Sequence, residues 1–424
     1  MLSLRSIRYR CCRQVSGSVV AIAVVVCVCV YYLSSRGASR SNPLKDANFL
    51  ELRSCPACYG RGLCSLFQSG HFEFTGVSRY RTLHRFNIKN VHYARMTRER
   101  QAVDVVLKKL GHNTELKAAD EKICKMAQMN SCNPGRVLFG RIFRDSDPIL
   151  TPENTKGLSD LVSCPSERLM KRIVDSFPEK QGDVLLRSER LIIYTTLLVN
   201  PEPILLQVFP QEEGWPFPRY IGACGRWTVT ENAGESLNKY YNAPWQKRVD
   251  LAYQIFRIAD LFTNNNQGWG LYFTDVNYDN YAVAVDGTVS IIDAENIIVV
   301  DLRDIKREKP QGWDEPLISN FDQCSKYGDC LSFDTSALCS HVRTDFNYYA
   351  VCRDLLSSYA SDGIHPKGFL HDLPDEIEQK YKLTNMLDEC AKPTVDSVNG
   401  RLNIKDEILE TLKKISKLHR PPNQ

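Results

Sequence analysis

The amino-acid sequence predicts an α+β protein that follows an N-terminal apolar helix. Three stretches indicate this class: the apolar run Gly17–Leu33, the long amphipathic pattern Pro244–Phe262, and the β-branched segments on either side of Asp286-Gly287. A chain of 424 residues is long enough to bury one large core or two lobes. With 43% hydrophobic and 25% charged residues, its composition is that of a globular protein, which excludes a chain that is disordered as a whole.

The N-terminus has the pattern of a signal anchor. Four arginines precede Gly17–Leu33, which as a helix would reach roughly 25 Å, enough for a thin early-secretory bilayer. Basic residues on the short side predict that residues 1–16 form a cytoplasmic tail and that the chain after residue 33 is lumenal. Residues 34–54 are polar and turn-prone, which is typical of a stalk. A cleaved signal peptide is the alternative, and it would release the chain from the membrane.

The net charge and the cysteine content indicate which partners the protein binds and in which cellular compartment it folds. A formal net charge of +4 is small for this length and argues against nucleic acid as a principal partner. Twelve of the 16 cysteines follow the apolar run, an even number that is consistent with disulfides in an oxidising compartment. For Cys55, Cys58 and Cys64 we expect structural disulfides, because no second C-x-x-C supplies further zinc ligands and no strand precedes a redox motif here.

The first half of the chain predicts a small sheet followed by a helix. Arg85–Met96 alternates apolar and polar residues like a strand, Thr97–Gln101 is a charged turn, and Asp104–Leu107 is a second strand. Lys108 ends that second strand. Thr114–Ala127 then has an apolar stripe at helical spacing.

Residues 128–200 predict an insertion in this first half. It contains the probable helices Glu167–Phe177 and Ser188–Leu198, and we expect Cys124, Cys132 and Cys164 to brace it. An apolar run follows, and Tyr220–Thr230 then has strand character.

The second half is predicted to be mainly helical and rich in cysteine. Pro244–Phe262 has a broad apolar face, and Thr344–Ser358 and Ile404–Leu418 are also predicted helices. Together with Cys224, the five C-terminal cysteines could form three disulfides of unknown pairing: Cys324, Cys330, Cys339, Cys352 and Cys390.

The stretch between Asp275 and Glu295 predicts a hairpin with oxygen-bearing side chains at its open end. Asp-Gly suits a two-residue type I′ turn, whose register would pair Tyr281 with Ile292 and Asn280 with Asp293. Asp275 lies in the loop that leads into the first strand. Such a group of oxygens could hold a hard cation such as Mg²⁺ together with a phosphate.

Two alternatives remain for this stretch. Asp275, Asn277 and Asp279 have the first spacings of an EF-hand calcium loop, but Asn280 replaces the expected glycine and no helix is predicted to follow. A purely structural hairpin without an ion is the other alternative.

The order D-x-x-x-x-N, hairpin, then Asp after a hydrophobic strand resembles the catalytic and metal loops of protein kinases. Three longer stretches are similar to the divergent protein kinase domain family of the secretory pathway, in the branch of the "deleted in autism" protein. They are EEGWPFPRYIGACGR, NAPWQKRVDLAYQ and IIDAEN. The likeness covers most of the chain after about Cys55.

The resemblance implies a protein-kinase-like, two-lobed fold with disulfide-rich additions. Residues 55–234 would form an N-terminal lobe with the cysteine-containing insertion, and residues 235–424 a C-terminal lobe. It also implies a site for ATP with Mg²⁺ or Mn²⁺, in a protein of the Golgi membrane or lumen or a secreted one.

The resemblance also assigns a role to each candidate residue. Lys108 would hold the nucleotide phosphates, and Glu115 (or Glu121) would pair with Lys108. Asn280 and Asp293 would bind the metal ion. By the same resemblance, Asp275 would be the catalytic base.

Several kinase signatures are replaced in this sequence. Phe273-Thr274 stands where His-Arg precedes the base, Ala294-Glu295 stands where Phe-Gly follows the metal-binding Asp, and the N-terminal half has no G-x-G-x-x-G. Two interpretations follow. The chain is either an atypical kinase acting on a protein in the lumen or outside the cell, with AMP transfer as a variant, or a pseudokinase that binds a receptor or cargo.

Overall fold

The computed structural model describes residues 26, 42–79, 90–98, 101–111, 113–144, 147–179, 184–323, 331–361, 363–394 and 400–418. The predicted cytoplasmic tail, nearly all of the predicted anchor and residues 34–41 of the stalk lie outside these ranges. Within them, no single helix is long and apolar enough to cross a membrane. Among these residues, only the bent pair Arg187–Val199 and Glu202–Glu213, taken together, has the length and the apolar composition of a membrane span.

A five-stranded antiparallel sheet forms the first lobe, in the order β1-β2-β3-β5-β4. Its strands are β1 (Phe72–Phe74), β2 (Val91–Arg98), β3 (Gln101–Lys108), β4 (Tyr220–Cys224) and β5 (Trp227–Glu231). The predicted single strand Tyr220–Thr230 is therefore two strands. Gly225 makes the turn between them with a φ of +62°, and a Cβ there would lie 1.9 Å from the Leu50 carbonyl oxygen. Residues 85–89 of the predicted first strand lie outside the described residues.

The three helices predicted in the first half are present, each within one residue of its predicted bounds, and five shorter α- or π-helices of the described residues were not predicted. The predicted helices Thr114–Ala127, Glu167–Phe177 and Ser188–Leu198 are observed as Asn113–Met126, Glu167–Ser176 and Arg187–Val199. The others are Cys64–Ser69, Pro134–Val137, the π-helix Leu138–Ile142, Pro152–Thr155 and Glu202–Val208.

The second lobe is built around the long helix Trp245–Thr263. Pro244 precedes its first turn, and the eight residues of its predicted apolar face are all buried. The remaining helices are Leu302–Glu308, Thr335–Leu338, Phe346–Val351 with the π-helix Cys352–Leu356, Asp375–Tyr381, Leu383–Ala391 and Arg401–Lys417. The predicted helix Thr344–Ser358 is thus shorter and ends in a π-helical turn.

Short strands complete the second lobe. They are β6 (Glu235–Ser236), β7 (Trp269–Phe273), β8 (Tyr281–Val283), β9 (Val289–Ile291), β10 (Ile297–Asp301), β11 (Pro316–Leu317) and β12 (Arg343–Thr344). Strands β6, β8 and β9 form one antiparallel sheet, β7 pairs antiparallel with β10, and β11 pairs parallel with β12.

The insertion helices pack into the core of the second lobe. Ile193, Leu197 and Leu205 belong to the same buried cluster as Phe256 and Leu271. The five-stranded sheet has a separate buried cluster on the side of Leu50 and Phe67. The insertion, although it interrupts the first lobe in sequence, therefore shares its packing with the second.

Disulfides connect these parts. The structure contains Cys55–Cys58, Cys64–Cys224, Cys124–Cys132, Cys164–Cys339 and Cys352–Cys390. The expectation of disulfides at Cys55, Cys58 and Cys64 is confirmed. Two pairings differ from the predictions: Cys164 bonds to the second lobe instead of bracing the insertion from within, and Cys224 bonds within the first lobe. Cys324 and Cys330 lie outside the described residues.

Removal of the Cys164–Cys339 bond should cost more stability than removal of Cys124–Cys132. The first spans 175 residues and the second 8. By loop-closure entropy we expect the free energies of unfolding of the two double-alanine variants to differ by about 2–3 kcal/mol. Urea unfolding of both variants measures this difference. Equal losses would show that the longer crosslink adds nothing beyond the shared core.

Candidate functional site

The hairpin at Asp286-Gly287 has a three-residue loop. Ala284 and Thr288 are joined by a hydrogen bond of 2.9 Å from the Ala284 amide, and β8 and β9 pair Tyr281 with Ile291. Only Gly287 of the loop has a positive φ, +88°, whereas a type I′ turn needs two such residues. The predicted two-residue turn is therefore wrong, and the register differs from the predicted one by one residue.

This register places Asn280 opposite Ile292 instead of opposite Asp293. The Ile292 amide donates to the Asn280 carbonyl at 2.9 Å, so Asp293 is the next residue beyond the pair. The Asn280 side chain donates from Nδ2 to Asp275 Oδ2 at 3.0 Å, and Asn277 donates to both oxygens of the same carboxylate. Asp275 is exposed and Asn280 is buried.

The same segment contradicts the EF-hand alternative. Tyr281–Val283 and Val289–Ile291 are strands, whereas a calcium loop of this type leads into a helix.

A cavity of about 470 Å³ lies between the sheet and this hairpin. Lys108 and Asp293 both line it, as does the segment after β5. Gly234 in that segment has a φ of +108°, and a Cβ on it would lie 2.1 Å from the Val283 carbonyl oxygen, so only glycine fits. The lining residues are Val91, Tyr93, Val106, Lys108, Pro218, Thr230, Glu231, Asn232, Ala233, Gly234, Asp279, Ala282, Ile292 and Asp293.

Lys108 forms its ion pair with Glu202, not with the predicted Glu115. Its Nζ lies 2.7 Å and 3.0 Å from the two Glu202 oxygens and also donates to the Ile292 carbonyl. The side chains of Lys108 and Glu202 are only 13% and 4% exposed. Glu115, in the first turn of Asn113–Met126, is exposed, whereas the Lys108 ammonium is directed toward the buried Glu202.

Glu202 is the site residue that the sequence analysis missed. It begins the helix Glu202–Val208, where the Asn200 side chain accepts a hydrogen bond from its amide at 3.0 Å. The Ala294 amide donates to the Glu202 carboxylate, and Asn200 also donates to Glu295. The sequence did contain a signal for Glu202, because this acidic residue lies between Pro201 and an apolar run. An acid that is buried with such a run requires a charged or hydrogen-bonding partner.

Three carboxylates surround the Lys108 ammonium. Burial alone would lower the pKa of Lys108, but Glu202 and Asp293 outweigh it and the pKa is raised. Burial, with the negative charges of Asp293 and Glu202, raises the pKa of Glu295 to about 7. The lysine is therefore charged at neutral pH, and Glu295 is about half protonated.

A second perturbed carboxyl lies near the exposed Asp275. Burial raises the pKa of Asp354 to about 7, against the opposing effect of Arg353, and the charge of Asp275 raises it further. Arg353 donates to Asp354 at 2.7 Å.

Replacing Lys108 with Met should leave Glu202 buried without its counter-charge. We expect the free energy of unfolding to fall by about 3–5 kcal/mol, with partial recovery in Lys108→Met/Glu202→Gln. Urea unfolding of the two single variants and the double variant completes the cycle. Lys117→Met is the control, because the Lys117–Glu121 pair is exposed and should cost under about 1 kcal/mol. If the stability loss of the double variant equals the sum of the losses of the two single variants, Lys108 and Glu202 are not energetically coupled.

Replacing Glu295 with Gln should change the pH dependence of stability. Because the folded-state pKa of about 7 lies above the ordinary 4.5, the stability that Glu295 contributes is present at low pH and is lost between these values as pH rises. The variant should therefore be more stable than the parent at pH 7.5, by roughly 3 kcal/mol, and about equal at pH 4.5. Unfolding curves of parent and variant across this pH range measure the difference in their free energies of unfolding. Asp354 also titrates near pH 7, but it is present in both proteins, so its contribution cancels in the difference. A pH-independent difference would refute the raised pKa.

Comparisons with known proteins agree with this architecture. A family model described as the protein-kinase domain of FAM69 matches residues 194–393, which include Glu202, Asp275, Asn280 and Asp293. "Divergent protein kinase domain 2A" of Xenopus tropicalis is 42% identical over 98% of this chain and 99% of its own length. The Homo sapiens protein of that name is 44% identical over 88% and 90%. "Divergent protein kinase domain 2B" of Mus musculus is 29% identical over 62% and 63%. The chain thus belongs to the divergent protein kinase domain family, with a protein-kinase-like domain.

Proposed function

We propose that this protein binds ATP with Mg²⁺ or Mn²⁺ between its lobes and transfers phosphate to a protein in the secretory-pathway lumen or outside the cell. The observation that carries the proposal is the Lys108 ammonium, held by buried Glu202 and attracted by Asp293 at the wall of the 470 Å³ cavity. A cavity of this size is in the range of small-molecule sites.

The charge of the site favours a divalent cation. One lysine faces Glu202, Asp293 and Glu295, so these four side chains carry an excess of negative charge when ionised. Nucleotide-bound Mg²⁺ typically takes one or two protein side chains and the phosphate oxygens. Asp293 would supply a carboxylate and Asn280 its Oδ1, since Asn280 Nδ2 is already used toward Asp275. The metal would neutralise charge on the transferring phosphate.

The cavity walls suit the remaining parts of a nucleotide. Val91, Val106, Ala282 and Ile292 offer an apolar lining for a base, next to the backbone of residues 231–234. Lys108 would hold the phosphates.

Asp275 would act as the base. Its exposed carboxylate is held by Asn277 and Asn280, and it would accept the proton of a substrate hydroxyl. The location is proposed from the N-terminal apolar run and supported by the five disulfides among the described residues, which favour an oxidising compartment.

A pseudokinase that binds a receptor or cargo is the second candidate, and Glu295 favours it. This residue stands where kinases have glycine, and its charge interacts with Asp293, next to the proposed metal. Thr274, in place of the arginine before the base, donates to Asp160 and to the Asn296 carbonyl.

Thermal unfolding of the full chain with ATP and Mn²⁺ or Mg²⁺ tests binding. We expect a metal-dependent rise in Tm that Asp293→Asn abolishes, because ligand binding to the folded state stabilises it by mass action. Asp250→Asn, on the long helix outside the cavity lining, is the control and should keep the rise. No shift at millimolar nucleotide would overturn ATP binding.

Transfer is tested separately, by incorporation of labelled γ-phosphate into proteins of the secretory pathway. If phosphate is transferred, Asp275→Asn should reduce the rate by at least about 100-fold and leave the Tm rise intact. Binding without transfer would support the pseudokinase.

A further inference from the structure

A second cavity, of about 670 Å³, has a lining separate from that of the nucleotide cavity. We call it the arginine pocket. It is formed by one face of the helix Glu167–Ser176, by the loop after the helix Trp245–Thr263 and by the first turn of Leu302–Glu308. Its charged lining residues are Arg168, Lys171, Arg172, Asp175, Glu213 and Arg303.

Three of its four cations are matched by carboxylates. Arg168 pairs with buried Asp301 at 2.9 Å, Arg172 with Glu213 at 2.6 Å, and Lys171 with Asp175 at 2.5 Å. These pairs differ in strength. The Lys171 and Asp175 side chains are 75% and 55% exposed. A pair as exposed as this contributes little to stability, so Lys171 can leave Asp175 and bind another anion.

The fourth cation, Arg303, has no side-chain hydrogen bond or ion pair to any described residue. Gly268 determines where it lies. A Cβ on Gly268 would come within 2.8 Å of Arg303 Cγ and 2.9 Å of Nε, so the arginine stem crosses the loop where a side chain is missing. Gly268 has a φ of +73°, which also favours glycine.

The guanidinium groups act on one another through space. Burial lowers the pKa of Arg168, the positive charges of Arg303 and Arg172 lower it further, and Asp301 opposes both. Arg168 already uses its donors on Asp301 and on the carbonyls of Gln267 and Gly268. Arg168 is thus a fixed charge at the base of the pocket, and Arg303 keeps its donors for a ligand.

We propose that the arginine pocket binds the sulfate or phosphate ester of a sugar. Arg303 would bind the ester oxygens in the two-pronged geometry that guanidinium offers to oxyanions, and Lys171 would turn toward them. The carboxylates Asp175 and Glu213 would repel a bare polyanion, but they can accept hydrogen bonds from ring hydroxyls. The side-chain amides of Asn266 and Gln267 can bond to hydroxyls as donors or acceptors.

Calorimetric titration of the purified full chain tests this at low salt. The probes are glucose 6-sulfate and glucose 6-phosphate, with glucose, inorganic sulfate and inorganic phosphate as references. We expect at least one ester to bind at millimolar concentration or below, and at least 10-fold more tightly than any reference. The two esters identify which oxyanion the pocket takes.

Two charge-reversal variants on the same helix isolate the pocket. Arg303→Glu should weaken ester binding at least 10-fold, whereas Lys306→Glu, outside the lining, should change it less than twofold. Arg303→Gln shows the same loss without a reversed charge, and far-UV circular dichroism checks that each variant is folded. Asp293→Asn should bind the ester like the parent, which separates this site from the nucleotide site.

The proposal is overturned if neither ester binds more tightly than glucose, or if Arg303→Glu and the parent bind alike. If inorganic sulfate or phosphate binds as tightly as the esters, the proposal that the pocket recognises the sugar is overturned.

Discussion

Lys108 reaches Glu202 across the boundary between two cores, with its Nζ 2.7 Å from Oε1. The lysine ends a strand of the five-stranded sheet, and the glutamate begins a helix whose apolar residues pack with the second lobe. The same ammonium binds the Ile292 carbonyl, next to Asp293. The five-stranded sheet, the helix Glu202–Val208 and the hairpin are therefore all in contact through the Lys108 ammonium. A buried ion pair is weak evidence for net stability, but it selects one arrangement of the groups around it.

Asp301 fixes the insertion to the second lobe in a similar way. Its buried carboxylate accepts hydrogen bonds from Ser166 and Arg168 of the insertion and from the amides of Arg303 and Asp304. It therefore caps the helix Leu302–Glu308 and neutralises the base of the arginine pocket at once. The Cys164–Cys339 disulfide joins the same two parts. The insertion is thus held to the second lobe both by a disulfide and by hydrogen bonds to one buried carboxylate.

The longest helices could be predicted from sequence because their signals are local, whereas most of the short ones were not predicted. The apolar face of Trp245–Thr263 has helical spacing, and Pro244 marks its start. The hairpin was also predictable, but not its register, because Asp-Gly suits both two- and three-residue loops and only the backbone conformation of Asp286 separates them. Asp275, Asn280, Asp293 and Lys108 could be singled out by spacing and family resemblance. Glu202 could not, since its partner lies 94 residues away and depends on how the insertion packs.

The position of Glu202 on the helix Glu202–Val208, which packs with the second lobe, has a dynamic consequence. Separating the sheet from the second lobe would pull Lys108 away from Glu202, so opening of the cleft and loss of the ion pair are one event. Opening would return both charges to water, so the ion pair itself adds little to the free energy of opening, but it cannot persist in an open form. Movement of the helix Asn113–Met126, by contrast, leaves this contact intact. Any motion that widens the cleft would therefore be coupled to the loss of this one ion pair.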